Sequence, residues 1–283
     1  FALYGKEKIY NSNMSLYFLK DYVRLNKIPH QLIDVNIASD YFKLGKMLDL
    51  CKGENRVGII EKAMIGEGIV SELTEKFNPA MEFNEKDLIS MLYYLGYLTI
   101  TGEEFEKPEL KIPNNIMKEI YSQYFIEILS KETDFRIQEN LYNEITREIA
   151  TYGKIDKIVE VMETYLRNLS NRDYQKFEEK YIKIIFYCIA MNLKIFRVKS
   201  EAEVNRKYPD IMLIPKDISK GYNSVIIEFK YLKKSEANLL EQRQNEAKEQ
   251  IEKYSQFEEM QDIENLHKYT IVAVVDKIYI EEM

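Results

Sequence analysis

At 283 residues the chain has length for two domains of about 100 to 200 residues each. Its 46% hydrophobic and 31% charged residues, with only 10 Gly and 6 Pro, exclude collagen-like and low-complexity disordered chains and point to a helix-rich globular protein. The net charge of −7 argues at face value against a nucleic-acid binder, which usually carries a basic footprint.

The chain opens on Phe1 rather than Met and is read as a piece of a longer protein. Ser12 to Leu25 behind an Asn/Ser cap, Ser39 to Cys51, Ser71 to Phe77 and Asn84 to Leu95 each read as amphipathic helices. Tyr97 to Thr101 then reads as a strand, Gly102-Glu103-Glu104 as a polar turn, and Phe105 to Ile112 as a second strand. Pro113-Asn114-Asn115 follows, with a new helix from Ile116. Helix, two short strands and helix make a winged-helix-like element, so 1–115 is taken as a first domain. Residues 116–170 are helical in pattern, broken once at Gly153, and are read as a helical connector.

From residue 171 the texture changes. A helix from Tyr174 to Met191 is followed by strands at Lys194 to Val198 and Asp210 to Ile214, then a hairpin-like connection from Lys216 to Asn223. Ser224 to Tyr231 is a β-branched strand, Glu236 to Phe257 a long helix, and Tyr269 to Asp276 a last apolar strand. The order α, β, β, β, α, β predicts a meander, a crossover helix and a further parallel strand: a mixed sheet flanked by helices over 171–283. The fold class is therefore α+β.

The charge is unevenly spread. From Arg172 onward there are 19 basic and 20 acidic residues, so most of the net acidity lies earlier in the chain. Lys194 to Lys234 holds 10 basic and 5 acidic residues, a local positive field that a phosphate backbone can use or that can be a solvated face. Within it Lys207, Lys233 and Lys234 are taken as nucleic-acid contacts. The acidic N-terminal region suits a protein partner.

The longest unbroken apolar stretch, Ile184 to Met191, is far shorter than the ~20 residues that span a bilayer, so no membrane partner is expected. Cys51 and Cys188 are far apart, which fits a reducing compartment, taken as the cytoplasm. His30 and His267 have no metal-ligand spacing, and Gly66-Glu67-Gly68 reads as a turn rather than a phosphate cradle.

Three polar residues fall where a buried sheet should not place them. Asp210 opens one strand; Glu228 and Lys230 end the next, sharing one face while Phe229 takes the other. Ile226 shares the polar face, and Val225 and Ile227 the opposite one, as in a central strand covered on both sides. Unpaired charge in such a place is expensive. Spacing alone leaves two readings. One is a Glu/Lys ion pair with Asp210 as a turn cap. The other is a Mg²⁺ site, since that ion binds through one or two carboxylates and keeps several waters. In the second, Lys230 would position or help deprotonate an attacking water or stabilise transition-state charge.

Pro209-Asp210, seventeen residues, then Glu228-Phe229-Lys230 resembles the signature of the PD-(D/E)XK nuclease superfamily, in the helix, strand, strand, strand, helix context that this superfamily uses. Gln250-Ile-Glu-Lys-Tyr254 resembles the QxxxY motif of its RecB-like branch, with Gln250 and Tyr254 on one helix face. There they would orient the site lysine or touch the DNA backbone. Ser200-Glu-Ala-Glu203 before Asp210 is similar to bacterial proteins that join this nuclease domain to an AAA-ATPase-like region. Tyr10-Asn11, Tyr94-Leu-Gly-Tyr-Leu-Thr and Leu110-Lys-Ile-Pro-Asn-Asn resemble the C-terminal part of that region. The chain has no Gly-x4-Gly-Lys-Ser/Thr, so no ATP hydrolysis is expected of it.

The resemblance implies a restriction-endonuclease-like domain and a Mg²⁺-dependent (or Mn²⁺-dependent) nuclease acting on DNA. Asp210, Glu228, Lys230, Gln250 and Tyr254 form its catalytic set. The metal set is Asp210 and Glu228, with Glu203 and the first-helix Glu179, beside Glu178, as further acids. Cutting both strands of a duplex needs two sites or two binding events, hence a homodimer among the expected partners. The rival reading keeps the nuclease fold as a non-catalytic protein- or nucleic-acid-binding module.

Overall fold

The computed structural model describes residues 12–25, 44–48, 56–64, 66, 68–77, 83–169, 177–200 and 209–283. It has two compact units, Phe1–Tyr124 and Phe125–Met283.

In the first unit, helices α1 (Ser12–Leu25), α2 (Arg56–Met64) and α3 (Glu85–Tyr94) accompany a small antiparallel sheet of β1 (Ile69–Val70), β2 (Thr99–Glu104) and β3 (Lys107–Lys111), in the order β1-β3-β2. The stretch 44–48 is also helical, inside the expected Ser39 to Cys51; the remainder of that helix lies outside the described residues. Asn84 starts α3 with a reciprocal cap: its side chain accepts the Asp87 N–H, and Asp87 accepts the Asn84 N–H. The apolar face of α3, with Leu88, Ile89 and Leu92, is buried.

Two expectations fail here. Ser71 to Phe77 is not a helix. Its polar groups bond elsewhere: Ser71 N–H to the Pro108 carbonyl, Thr74 N–H to Ser90 Oγ at 2.8 Å and Thr74 Oγ1 to Asp87 at 2.8 Å. These partners lie 13 or more residues away in the chain, so tertiary contacts rather than a local helical ladder hold the segment. The hairpin turn is Phe105-Glu106, not Gly102 to Glu104; both its residues have positive φ, at 49° and 60°. Gly102 instead sits beside a register shift within β2, where a Cβ would stand 3.0 Å from the Glu109 carboxylate.

In the second unit, the pattern read as two helices after Ile116 is three: α4 (Asn115–Thr133), α5 (Glu139–Tyr152) and α6 (Asp156–Asn168). α4, which begins in the first unit, stops at Asp134, which takes φ 52° with no glycine or proline to announce it. Gly153 ends α5 as expected, at φ 69° with its N–H on the Ile149 carbonyl.

A five-stranded mixed sheet follows, in the order β4 (Phe196–Ser200), β5 (Ile211–Pro215), β6 (Ser224–Leu232), β7 (Leu266–Val274), β8 (Lys277–Glu282). Only β6 and β7 are parallel. Helix α7 (Glu179–Met191) packs on β4, β5 and β6; α8 (Leu240–Ser255) packs on β6 and β7 and forms the crossover. A 3₁₀ turn, Lys234–Leu239, replaces the first turn of the expected long helix, and a four-residue helix α9 (Glu258–Gln261) precedes β7. The last strand, β8, was not anticipated. It closes the sheet through a two-residue turn at Val275-Asp276.

β6 is central and covered on both faces. Phe229 is fully buried and meets Phe186 of α7 edge-on, ring centroids 5.3 Å apart. Burying such a side chain stabilises the fold by roughly 1.5–3 kcal/mol. On the opposite face Ile226 and Met212 pack with Ile251 of α8 and Met260.

Candidate active site

The antiparallel ladder between β5 and β6 pairs Leu213 with Val225, Met212 with Ile226 and Ile211 with Ile227, and then stops. The next residues, Asp210 and Glu228, therefore lie side by side at the end of the paired region. Pro209 and Asp210 are both buried, as is Glu228. The Asp210 carboxylate takes over where the backbone ladder ends: its Oδ2 accepts the Phe229 N–H at 2.8 Å. Its own N–H points at Glu228 Oε2, 3.4 Å away.

Both carboxylates carry a lysine. Lys230 Nζ donates to Glu228 Oε1 at 2.9 Å, with the two side chains only 12% and 4% exposed. Their shared face is the alternation expected of β6. Lys183 Nζ reaches across from α7 to Asp210 Oδ1 at 2.6 Å, and also holds Glu179 Oε1, one helical turn earlier, at 2.9 Å. Glu179, Lys183, Asp210, Glu228 and Lys230 thus form one connected chain of three acids and two bases.

Burial pushes the Glu228 carboxyl up to about 7; the neighbouring Asp210 charge adds to this, while Lys230 and Lys183 oppose it. Two carboxylates sharing a desolvated site resist double ionisation. Burial works against the charge on Lys183, but the Asp210 and Glu179 carboxylates outweigh it and hold its pKa above the ordinary lysine range.

The structure brings Asp210, Glu228 and Lys230 together and attaches Glu179 to them through Lys183. Glu178 turns to Lys180 at 3.0 Å. Gln250 and Tyr254 lie one turn apart on α8, both half-buried. Glu246, one turn before Gln250, is held by Arg243 and Gln242, and Ile251 packs this helix on Ile226, which shares the face of Glu228. Gln250 Oε1 is buried without a hydrogen-bond partner. So is Thr270 Oγ1, on the residue of β7 directly in register with Glu228. Lys233 and Lys234 are exposed just beyond the end of β6. Glu203 and Lys207 lie outside the described residues.

Sequence reasoning missed Lys183. The available signal was a single lysine between Ile182 and Ile184 in an otherwise apolar run, four residues after Glu179.

Among the described residues no group of three or more His, Cys, Asp or Glu side chains is arranged to hold a metal ion. The donor set is two hard carboxylates, Glu228 on β6 and Asp210 just before β5, with the unpartnered Thr270 Oγ1 on the neighbouring strand in register with Glu228. That fits Mg²⁺, which binds through one or two carboxylates and keeps several waters; the Asp210 charge, which adds to burial in raising Glu228, is one that a divalent ion would offset.

Residues 177–283 match the family model described as the PD-(D/E)XK nuclease superfamily. No match was found among curated proteins or among solved structures. No helix among the described residues is long and apolar enough to cross a membrane.

Proposed function

We propose that the C-terminal unit is a Mg²⁺-dependent nuclease that hydrolyses DNA phosphodiester bonds, with Mn²⁺ able to substitute. The carrying observation is the buried Asp210/Glu228 pair, set side by side by the end of the β5–β6 ladder, with Lys230 on Glu228. The match of 177–283 to a superfamily of phosphodiesterases supports the same reading.

Asp210 and Glu228 would hold the ion, which when bound polarises a phosphoryl oxygen and acidifies water. Lys230 keeps an ammonium next to Glu228 in a largely desolvated place, where it orients the attacking water and stabilises charge developing on the phosphate. Gln250 offers an unused acceptor on α8 for the Lys230 ammonium or a water, with Tyr254 one turn further. Lys233 and Lys234 are positioned for backbone phosphates; Glu203 and Lys207 complete the proposed metal and DNA contacts. Cutting both strands of a duplex would take two such sites, as in a homodimer, and the acidic N-terminal region would suit a protein partner.

The test is incubation of the full chain with linear, circular and branched DNA, with and without Mg²⁺ or Mn²⁺, beside its Glu228→Ala variant. Metal-dependent cleavage by the parent alone is expected. A folded protein that cleaves neither DNA nor RNA overturns the reading.

One observation favours a non-catalytic module instead. Both carboxylates are already ion-paired within the protein, Asp210 with Lys183 and Glu228 with Lys230. The two readings separate on whether the protein binds Mg²⁺ or Mn²⁺ at all.

A further inference from the structure

Lys183 belongs to the charged chain but has no part in the proposed hydrolysis. We propose that it is an internal counter-cation that sits on Asp210 in the metal-free protein and must leave for a divalent ion to bind, so that it sets the metal affinity of the site. The inference rests on the metal reading of Asp210 and Glu228.

The geometry is specific. Asp210 Oδ2 is committed to the Phe229 N–H, which is fixed in a central strand. Oδ1 is the oxygen left for a cation, and Lys183 Nζ occupies it at 2.6 Å. On Glu228, Oε1 carries Lys230, while Oε2 meets only the long Asp210 N–H contact of 3.4 Å. A cation held by Asp210 and Glu228 would therefore meet the Lys183 ammonium already seated on Asp210 Oδ1, and like charges at close range repel strongly in a low-dielectric site.

Lys183 can yield. Its side chain is 27% exposed, against 12% for Lys230, and its flexible stem carries a compact, strongly hydrated charge. Its departure also frees Glu179, whose carboxylate it holds at 2.9 Å, to serve as a third acid. Lys183 is therefore a positioning residue: it keeps three acids together without metal and raises the concentration of ion needed to load them.

The test is calorimetric titration of the full chain with Mn²⁺ alone, for the parent, Lys183→Met, Lys183→Arg and the double variant Lys183→Met with Glu179→Gln. Lys183→Met should bind Mn²⁺ about tenfold more tightly, equivalent to roughly 1.4 kcal/mol. Its metal-free melting temperature should fall and its Mn²⁺-induced rise should exceed that of the parent. Lys183→Arg, which keeps the charge, should bind no more tightly than the parent, and the double variant should lose most of the gain.

If the parent binds Mn²⁺ and Lys183→Met binds equally or more weakly, this inference falls and the nuclease reading stands. Tighter binding by Lys183→Arg overturns it even where Lys183→Met does not fold. If neither parent nor variants bind Mn²⁺ at millimolar concentration, both fall together.

Discussion

The Asp210 carboxylate accepts the backbone N–H of Phe229 at 2.8 Å, so a side chain continues the hydrogen-bond ladder one step beyond the point where β5 stops. The same carboxylate is the partner of Lys183. Asp210 is thereby both a structural cap and a proposed metal ligand, and its substitutions separate the two roles. Asp210→Asn keeps an acceptor for Phe229 but turns an amide against Lys183; a loss of about 1–3 kcal/mol is expected, as for a buried hydrogen bond to a charged group. Asp210→Ala leaves Lys183 and a backbone N–H without their partner and should lose about 3–5 kcal/mol. Urea unfolding of both variants checks the order. Metal-dependent cleavage should be lost in both.

Stability should depend on pH through Glu228. Its folded pKa lies near 7, above the ordinary 4.5, so the folded state binds its proton more tightly than the unfolded chain does. The stability this contributes is complete below about pH 4.5 and is lost as pH rises through about 7. At about 1.4 kcal/mol per unit the loss is on the order of a few kcal/mol. Glu228→Gln should flatten the curve between pH 5 and pH 7.5, as read by chemical denaturation at about 0.5-unit steps. Saturating Mn²⁺ should restore the stability of the parent at the upper end, since ligand binding to the folded state stabilises it. An unchanged curve for Glu228→Gln counts against the buried carboxyl as its source.

Gln250 gives a prediction in which stability and activity part company. Because its Oε1 is buried without a partner, removing it takes away an unsatisfied acceptor. Gln250→Leu should therefore leave stability within about 1 kcal/mol of the parent or raise it. Cleavage should nonetheless fall by about a hundredfold or more, the lower end of the usual scale for loss of a group that aids proton transfer. Loss of stability without loss of cleavage would assign Gln250 to packing.

Lys233 and Lys234 are exposed beyond the end of β6 and carry the proposed phosphate contacts. The double Ala variant should weaken DNA binding whatever the sequence and reduce the slope of log affinity against log salt by about 2, close to one for each phosphate no longer neutralised. Fluorescence anisotropy across a salt series reads this. An unchanged slope places the phosphate path elsewhere.

The proposed catalytic face was legible because its signals are local. Alternation along a strand has a period of two, so Glu228 and Lys230 on one side and Phe229 on the other follow from neighbouring residues alone. The parallel β6–β7 pair followed from the intervening helix, since a parallel partner requires a crossover. β8 was lost because its turn lacks the usual glycine or asparagine: Val275 itself takes φ 59° between Val274 and Lys277. The break at Asp134 was hidden for the same reason.

What the sequence determined by itself was the fold class and the pair of strands that bear Asp210, Glu228 and Lys230. The Glu228–Lys230 pair was among the readings that the spacing allowed, whereas the Asp210–Lys183 pair was decided only in three dimensions. Lys183 stands 27 residues from Asp210, and nothing in its helix except an isolated charge marks it. Its reach to Asp210 depends on α7 docking through Phe186 on Phe229, a contact between helix and sheet that no local period encodes. The side-by-side placement of Asp210 and Glu228 depends likewise on the register of β5 against β6, where a one-residue slip would send the carboxylates to opposite faces.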